Sequence, residues 1–201
     1  MKSKCMQDWR FWQFFGFLLL FSFQSVQSAG ASSVCDEVVN RLDSGFSLAE
    51  NLVAVQGATE TLQPVADHQG WHWVQRLGAW QIYQVDRSPF DQCQMVAQPL
   101  LNQQNQPTGE TVWLHPVLMN EAHQPAVLQP TVVVKVSEPE KLTGLEKRYP
   151  LTRQLVFQQG HLVFYQLPKT ADMDQILHDL SNEIGVEMVK PVIERQRYHL
   201  R

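Results

Sequence analysis

No apolar run in this chain is long enough to cross a bilayer as a helix. The longest runs from Phe11 to Phe23, about 13 residues where a span needs roughly 20. Lys2, Lys4 and Arg10 precede it and Ala29-Gly30-Ala31 follows. Positive flank, short apolar stretch and small-residue site make up a secretory signal peptide, so residues 1–31 are expected to be removed; a retained membrane anchor is the alternative. Clustered basic residues are missing as well. The net charge is −4, and it grows more negative once those three cations leave against Asp8 alone. That balance argues against nucleic acid, whose binding rests on grouped Lys and Arg. Cysteine is scarce, with three in all. Cys5 leaves with the signal, and Cys35 and Cys93 remain as a disulfide or as two buried thiols; an exported protein favours the disulfide.

Catalytic and metal constellations are missing too. The seven histidines are scattered, and Gly70 interrupts the spacing of His68 and His72. Nothing pairs a nucleophile with a base, and no Cys/His spacing suits a metal. Asp172-Met173-Asp174 reads as a helix start, where carboxylates favour the dipole. The chain therefore reads as a non-enzyme without cofactor or metal. Trp71, Trp73, Trp80 and Trp113 read as core or inter-repeat residues, and His115 and Lys190 as solvent-facing.

What the chain does contain is a repetition. Gly78-Ala79-Trp80-Gln81-Ile82-Tyr83-Gln84-Val85 is echoed by Gly160-His161-Leu162-Val163-Phe164-Tyr165-Gln166-Leu167. Val112-Trp113-Leu114-His115-Pro116-Val117 is echoed by Glu187-Met188-Val189-Lys190-Pro191-Val192. A unit of roughly 80 residues suits two tandem small domains rather than a solenoid. Strands are expected at 52–55, 71–77, 80–85 and 111–118, with helices at 59–68 and, from the Ser88-Pro89 start signal, 88–101. The second unit places strands at 131–136, 151–157, 162–167 and 186–193, and helices from Glu138 to Tyr149 and from a Thr170 cap to Gly185. Apolar residues every four positions from Val34 to Phe46 predict a short N-terminal helix.

Strand, helix, strand, strand, helix, strand in each unit predicts an α+β protein of two tandem ferredoxin-like (β-α-β-β-α-β) domains after a cleaved signal peptide. The expected segments are a helical stretch at 32–50, repeats at 51–120 and 131–193, a linker at 121–130 and an extended tail at 194–201.

The end of the second repeat reads Pro168-x5-Asp174-x-Ile176-Leu177-x2-Leu180-x4-Gly185-Val186-Glu187-x-Val189-x-Pro191. This resembles the close of the propeptide of subtilisin-like serine proteases, over residues 131–201. The first repeat fits only in layout. The chain stops at Arg201 with no Asp-His-Ser protease motifs, so the resemblance is to a propeptide made separately: an external chaperone and inhibitor of a secreted subtilase. It implies a 1:1 complex in the periplasm or outside the cell, with Tyr198, His199, Leu200 and Arg201 in the protease cleft as an added strand. The alternative is a periplasmic adaptor of the same tandem architecture, with some other protein partner and an incidental tail.

One argument is independent of the resemblance. Leu155-Val156-Phe157 and Leu162-Val163-Phe164-Tyr165 are consecutive, and neighbouring strand residues face opposite sides. Both faces of that hairpin are apolar, and helices cover only one. Leu155, Phe157, Leu162 and Phe164 are therefore candidates for contact with a partner, unless the first repeat covers them.

Overall fold

The computed structural model describes residues 34–42, 45–102, 104–157, 159 and 161–195. Helix α1 (Asp36–Arg41) is followed by β1 (Phe46–Gln56), α2 (Thr59–Gln69), β2 (His72–Leu77), β3 (Trp80–Gln84), β4 (Val96–Leu101) and β5 (Pro107–Asn120). Then come β6 (Pro125–Val136), α3 (Lys141–Arg148), β7 (Thr152–Phe157), β8 (Leu162–Gln166), α4 (Met173–Ser181) and β9 (Val186–Arg195).

All nine strands join one antiparallel sheet, in the order β2-β3-β1-β5-β6-β8-β7, with β4 on β5 and β9 on β6. This overturns the expected pair of tandem ferredoxin-like domains. The residues assigned to a linker make the join. Asn120 Oδ1 accepts from Gln124 N–H at 2.8 Å and closes a hairpin. Val117, Leu118 and Met119 of β5 then pair with Val127, Ala126 and Pro125 of β6. Ala126, Val127 and Leu128 are all fully buried. Consecutive apolar residues need cover on both faces, and a solvated linker offers neither.

The second departure is the helix expected at 88–101. Residues 86–95 are irregular, and Val96 to Leu101 form β4 against β5. Pro99 inside a helix would cost about 3 kcal/mol, whereas β4 pairs with β5 alone, a place where proline is tolerated. The irregular segment is committed elsewhere: Cys93 C=O accepts from Met173 N–H at 2.8 Å, and Met95 N–H donates to Lys169 C=O at 3.0 Å. The disulfide between Cys35 and Cys93 is present. It fastens this segment to α1, whose first turn has no cap of its own. Asp174 supplies one, Oδ1 accepting from Val38 N–H at 2.9 Å. Burial pushes the Asp174 carboxyl above its usual range, and its bonds to the Val38 and Glu37 N–H groups pull the other way.

The expected strand at 52–55 extends back to Phe46, replacing part of the anticipated helical stretch. Asp172, not Thr170, caps α4, its Oδ1 accepting from Asp174 N–H at 3.1 Å. The remaining predicted helices and strands occur within a few residues of their expected bounds.

The repetition survives in the pairing frame. Val53 lies between Tyr83 and Pro116, and Val132 lies between Tyr165 and Pro191. Even the irregularities correspond, between Trp73 and Gln75 on β2 and between Arg153 and Leu155 on β7. On one face α1, α3 and α4 cover Val132, Val134, Val163 and Tyr165, while α2 covers Val53, Val55 and Tyr83.

Candidate docking face

The two halves differ in what covers the other face. Leu155 pairs with Phe164 and Phe157 with Leu162 on β7–β8. Phe164 continues to Val133, and Leu162 to Lys135, on β6. By strand alternation these residues share the face opposite Val132, Val134, Val163 and Tyr165, which the helices cover. The four predicted contact residues are thus brought together. Phe157 and Phe164 stack edge-on at 5.8 Å. Leu155 is 50% and Phe157 45% exposed, while Leu162 and Phe164 are half-buried. The first half does not cover them, because it joins side by side through β5–β6.

The helix-covered side of this hairpin has its polar groups satisfied. Tyr165 donates to Glu146 Oε1 at 2.8 Å, and Arg153 Nε donates to the same oxygen at 2.7 Å. Burial and the Glu146 carboxylate hold the Tyr165 phenol well above its ordinary value.

In the first half the corresponding positions are sealed. Leu77, Trp80 and Ile82 match Phe157, Leu162 and Phe164 in the pairing frame, yet they are buried, Trp80 to 3% exposure. Leu52 and Ala54 of β1, Val117 of β5 and Val127 of β6 pack with them in one buried cluster, and the end of β9 reaches its edge. Trp80 Nε1 donates to Glu194 Oε2 at 2.7 Å, and Glu194 Oε1 lies so close to Gly78 that an added Cβ would meet it at 2.9 Å. His115 packs edge-on to Trp80 at 4.5 Å, and its Nδ1 is 3.0 Å from Leu128 C=O. Burial lowers the His115 pKa; the carbonyl bond opposes the shift and the Lys169 charge adds to it.

His115 is therefore not solvent-facing, whereas Lys190 is exposed as expected. Trp73, expected in the core or between the repeats, is 56% exposed on β2 with its indole N–H held by Gln81 Oε1 at 3.0 Å. A groove of about 1230 Å³ opens beside the sealed region, with Phe46, Arg76, Gln129 and Arg195 in its wall. The sequence reading did not anticipate this groove, because it forms where the β2–β3 turn, the β5–β6 turn and the end of β9 come together.

Tyr198, His199, Leu200 and Arg201 lie outside the described residues, as do residues 1–31, expected from the sequence to be a signal peptide. Among the described residues no helix is long and apolar enough to cross a membrane. Among them, too, no group of three or more His, Cys, Asp and Glu side chains is placed to hold a metal ion. No family model, curated protein or solved structure matches the chain.

Proposed function

We propose that this protein acts in trans as a chaperone and inhibitor of a secreted subtilisin-like serine protease. The observation that carries the reading is the open apolar face of β7–β8, where Leu155, Phe157, Leu162 and Phe164 gather on the side away from the helices. A contiguous apolar patch of this kind suits a protein surface. In the proposed complex it packs against the protease, and residues 198–201, which follow β9 closely in the chain, enter the cleft as an added strand. The Cys35–Cys93 disulfide is compatible with a periplasmic or extracellular setting. The protein binds rather than catalyses in this reading, and it needs no cofactor.

The test is an inhibition titration against a purified secreted subtilase whose gene lacks a propeptide. Removing Tyr198 to Arg201 is expected to weaken inhibition by two or more orders of magnitude, each factor of ten being about 1.4 kcal/mol. Phe164→Asp is expected to weaken both inhibition and recovery of active protease from denaturant, with circular dichroism as the folding control. Unchanged inhibition by both folded variants sinks the proposal. A general protein-binding adaptor then becomes the better reading, and the second exposed pair, Trp73 and Val74, favours it.

A further inference from the structure

We infer that two copies of the free protein pair through β7, antiparallel, about a two-fold axis at Val156. The inference does not depend on the protease reading. Sheet edges carry unpaired backbone groups and are normally protected by charge, proline or irregularity. The edges in this sheet differ in that respect. β4 carries Pro99, and β9 carries Glu187, Lys190, Pro191 and Glu194. β2 carries His72 and Arg76, and its irregularity falls in the middle, between Trp73 and Gln75. On β7 the irregularity comes early, between Arg153 and Leu155. Beyond it, Leu155, Val156 and Phe157 keep regular register with Phe164, Val163 and Leu162. This triplet has neither charge nor proline, and all three side chains are more than two-fifths exposed.

The triplet is also self-complementary. Antiparallel pairing centred on Val156 sets Leu155 against the partner's Phe157, Val156 against the partner's Val156, and Phe157 against the partner's Leu155. Aromatic–aliphatic pairs directly opposite each other are favourable. Arg153 falls outside the triplet and is held by Glu146 of its own chain. The same pairing centred on Val74 of β2 would set His72 against the partner's Arg76, a polar pair flanking the axis where β7 offers an apolar one. Because Leu155 pairs with Phe164 and Phe157 with Leu162, the docking faces of the two copies would merge into one apolar strip across the axis. A two-fold contact is closed and stops at a dimer.

The experiment is sedimentation equilibrium on the exported chain with its disulfide intact, together with Val156→Cys, Val156→Lys and Val74→Lys. The expected result is a concentration-dependent dimer that Val74→Lys leaves in place and Val156→Lys abolishes, since it sets two like charges opposite each other. Val156→Cys should cross-link to a covalent dimer on mild oxidation, and this holds the inference to account if Val156→Lys fails to fold. A chain that stays monomeric at every concentration, with Val156→Cys not cross-linking, overturns it. So does a dimer sensitive to Val74→Lys but not to Val156→Lys, or growth into open-ended assemblies. Loss of protease inhibition by the tail truncation has no bearing on these outcomes.

Discussion

The indole of Trp80 donates to the carboxylate of Glu194 across 114 positions of sequence. Through that bond the start of β3 is tied to the end of β9, at the edge of the cluster in which Leu77, Trp80 and Ile82 pack with Val117 and Val127. Trp80→Phe retains most of the apolar volume but removes the donor. It is expected to cost about 1.5 kcal/mol, as for a hydrogen bond to a charged group. Glu194→Gln keeps an acceptor and should cost less. Denaturant midpoints for the two variants check the order.

His115 makes the same region sensitive to acid. Its pKa in the folded protein is below the usual 6.5, because burial disfavours the imidazolium. A depressed value means that the unfolded chain binds the proton more readily than the folded one. The contribution is therefore complete above pH 6.5 and is lost as pH falls through the folded value. Stability measured from pH 7.5 down to pH 5 should decline, and His115→Gln should flatten that part of the slope. An unchanged slope would assign the decline to other groups.

Removing the disulfide as Cys35→Ala/Cys93→Ala should cost about 4 kcal/mol, since the bond closes a loop of 58 residues. The loss should appear in the denaturant midpoint and in weaker amide-exchange protection of α1. That helix has only six residues, too few to persist alone.

Asp174 offers a contrast between two conservative-looking changes. Asp174→Ala removes the acceptor for Val38 N–H and should cost about 1 kcal/mol, as for loss of a helix cap. Asp174→Asn keeps an oxygen there and no longer buries a charge. The carboxyl's pKa is raised above 3.8, so its contribution is present below that value and is lost as pH rises through the folded one. At pH 7 the Asn variant should match or exceed the parent in thermal melting, and the gap should close towards acid.

The repeat was legible because its marks are spaced by the pairing frame itself. Tyr83 and Pro116 flank Val53 as Tyr165 and Pro191 flank Val132, so the marks hold matching places in the pairing although the loops between them differ in length. Alternation likewise placed Leu155 with Phe157 and Leu162 with Phe164, and the register of β7 on β8 joins the two pairs on one face. Two things could not be read in this way. Ser88-Pro89 is a sound local start signal for a helix, but the tertiary bonds of Cys93 and Met95 and the pairing of Val96 to Leu101 outweigh it. Nor does anything local distinguish Trp80 from Leu162, since Trp80 is covered by Val117 and Val127 from later strands. The polar look of Asn120 to Gln124 was misleading for the opposite reason: those side chains close a tight turn on themselves, so a hairpin resembled a tether.

The β5–β6 hairpin has a further consequence, for how the molecule comes apart. β6 lends its first residues to β5 and its later ones to β8, while β9 runs along its other edge throughout. A cut in the Glu121–Gln124 turn would leave the two fragments able to reassociate along intact strand edges. A cut after Val136 would separate β6 from the second half's helices. Neither fragment holds a complete core alone, because Leu118 and Cys93 from before the turn lie in the same buried cluster as Val134 and Leu177 from after it. The two look-alike halves should therefore melt together in a single cooperative transition, and fragments split at the turn should regain structure only when mixed.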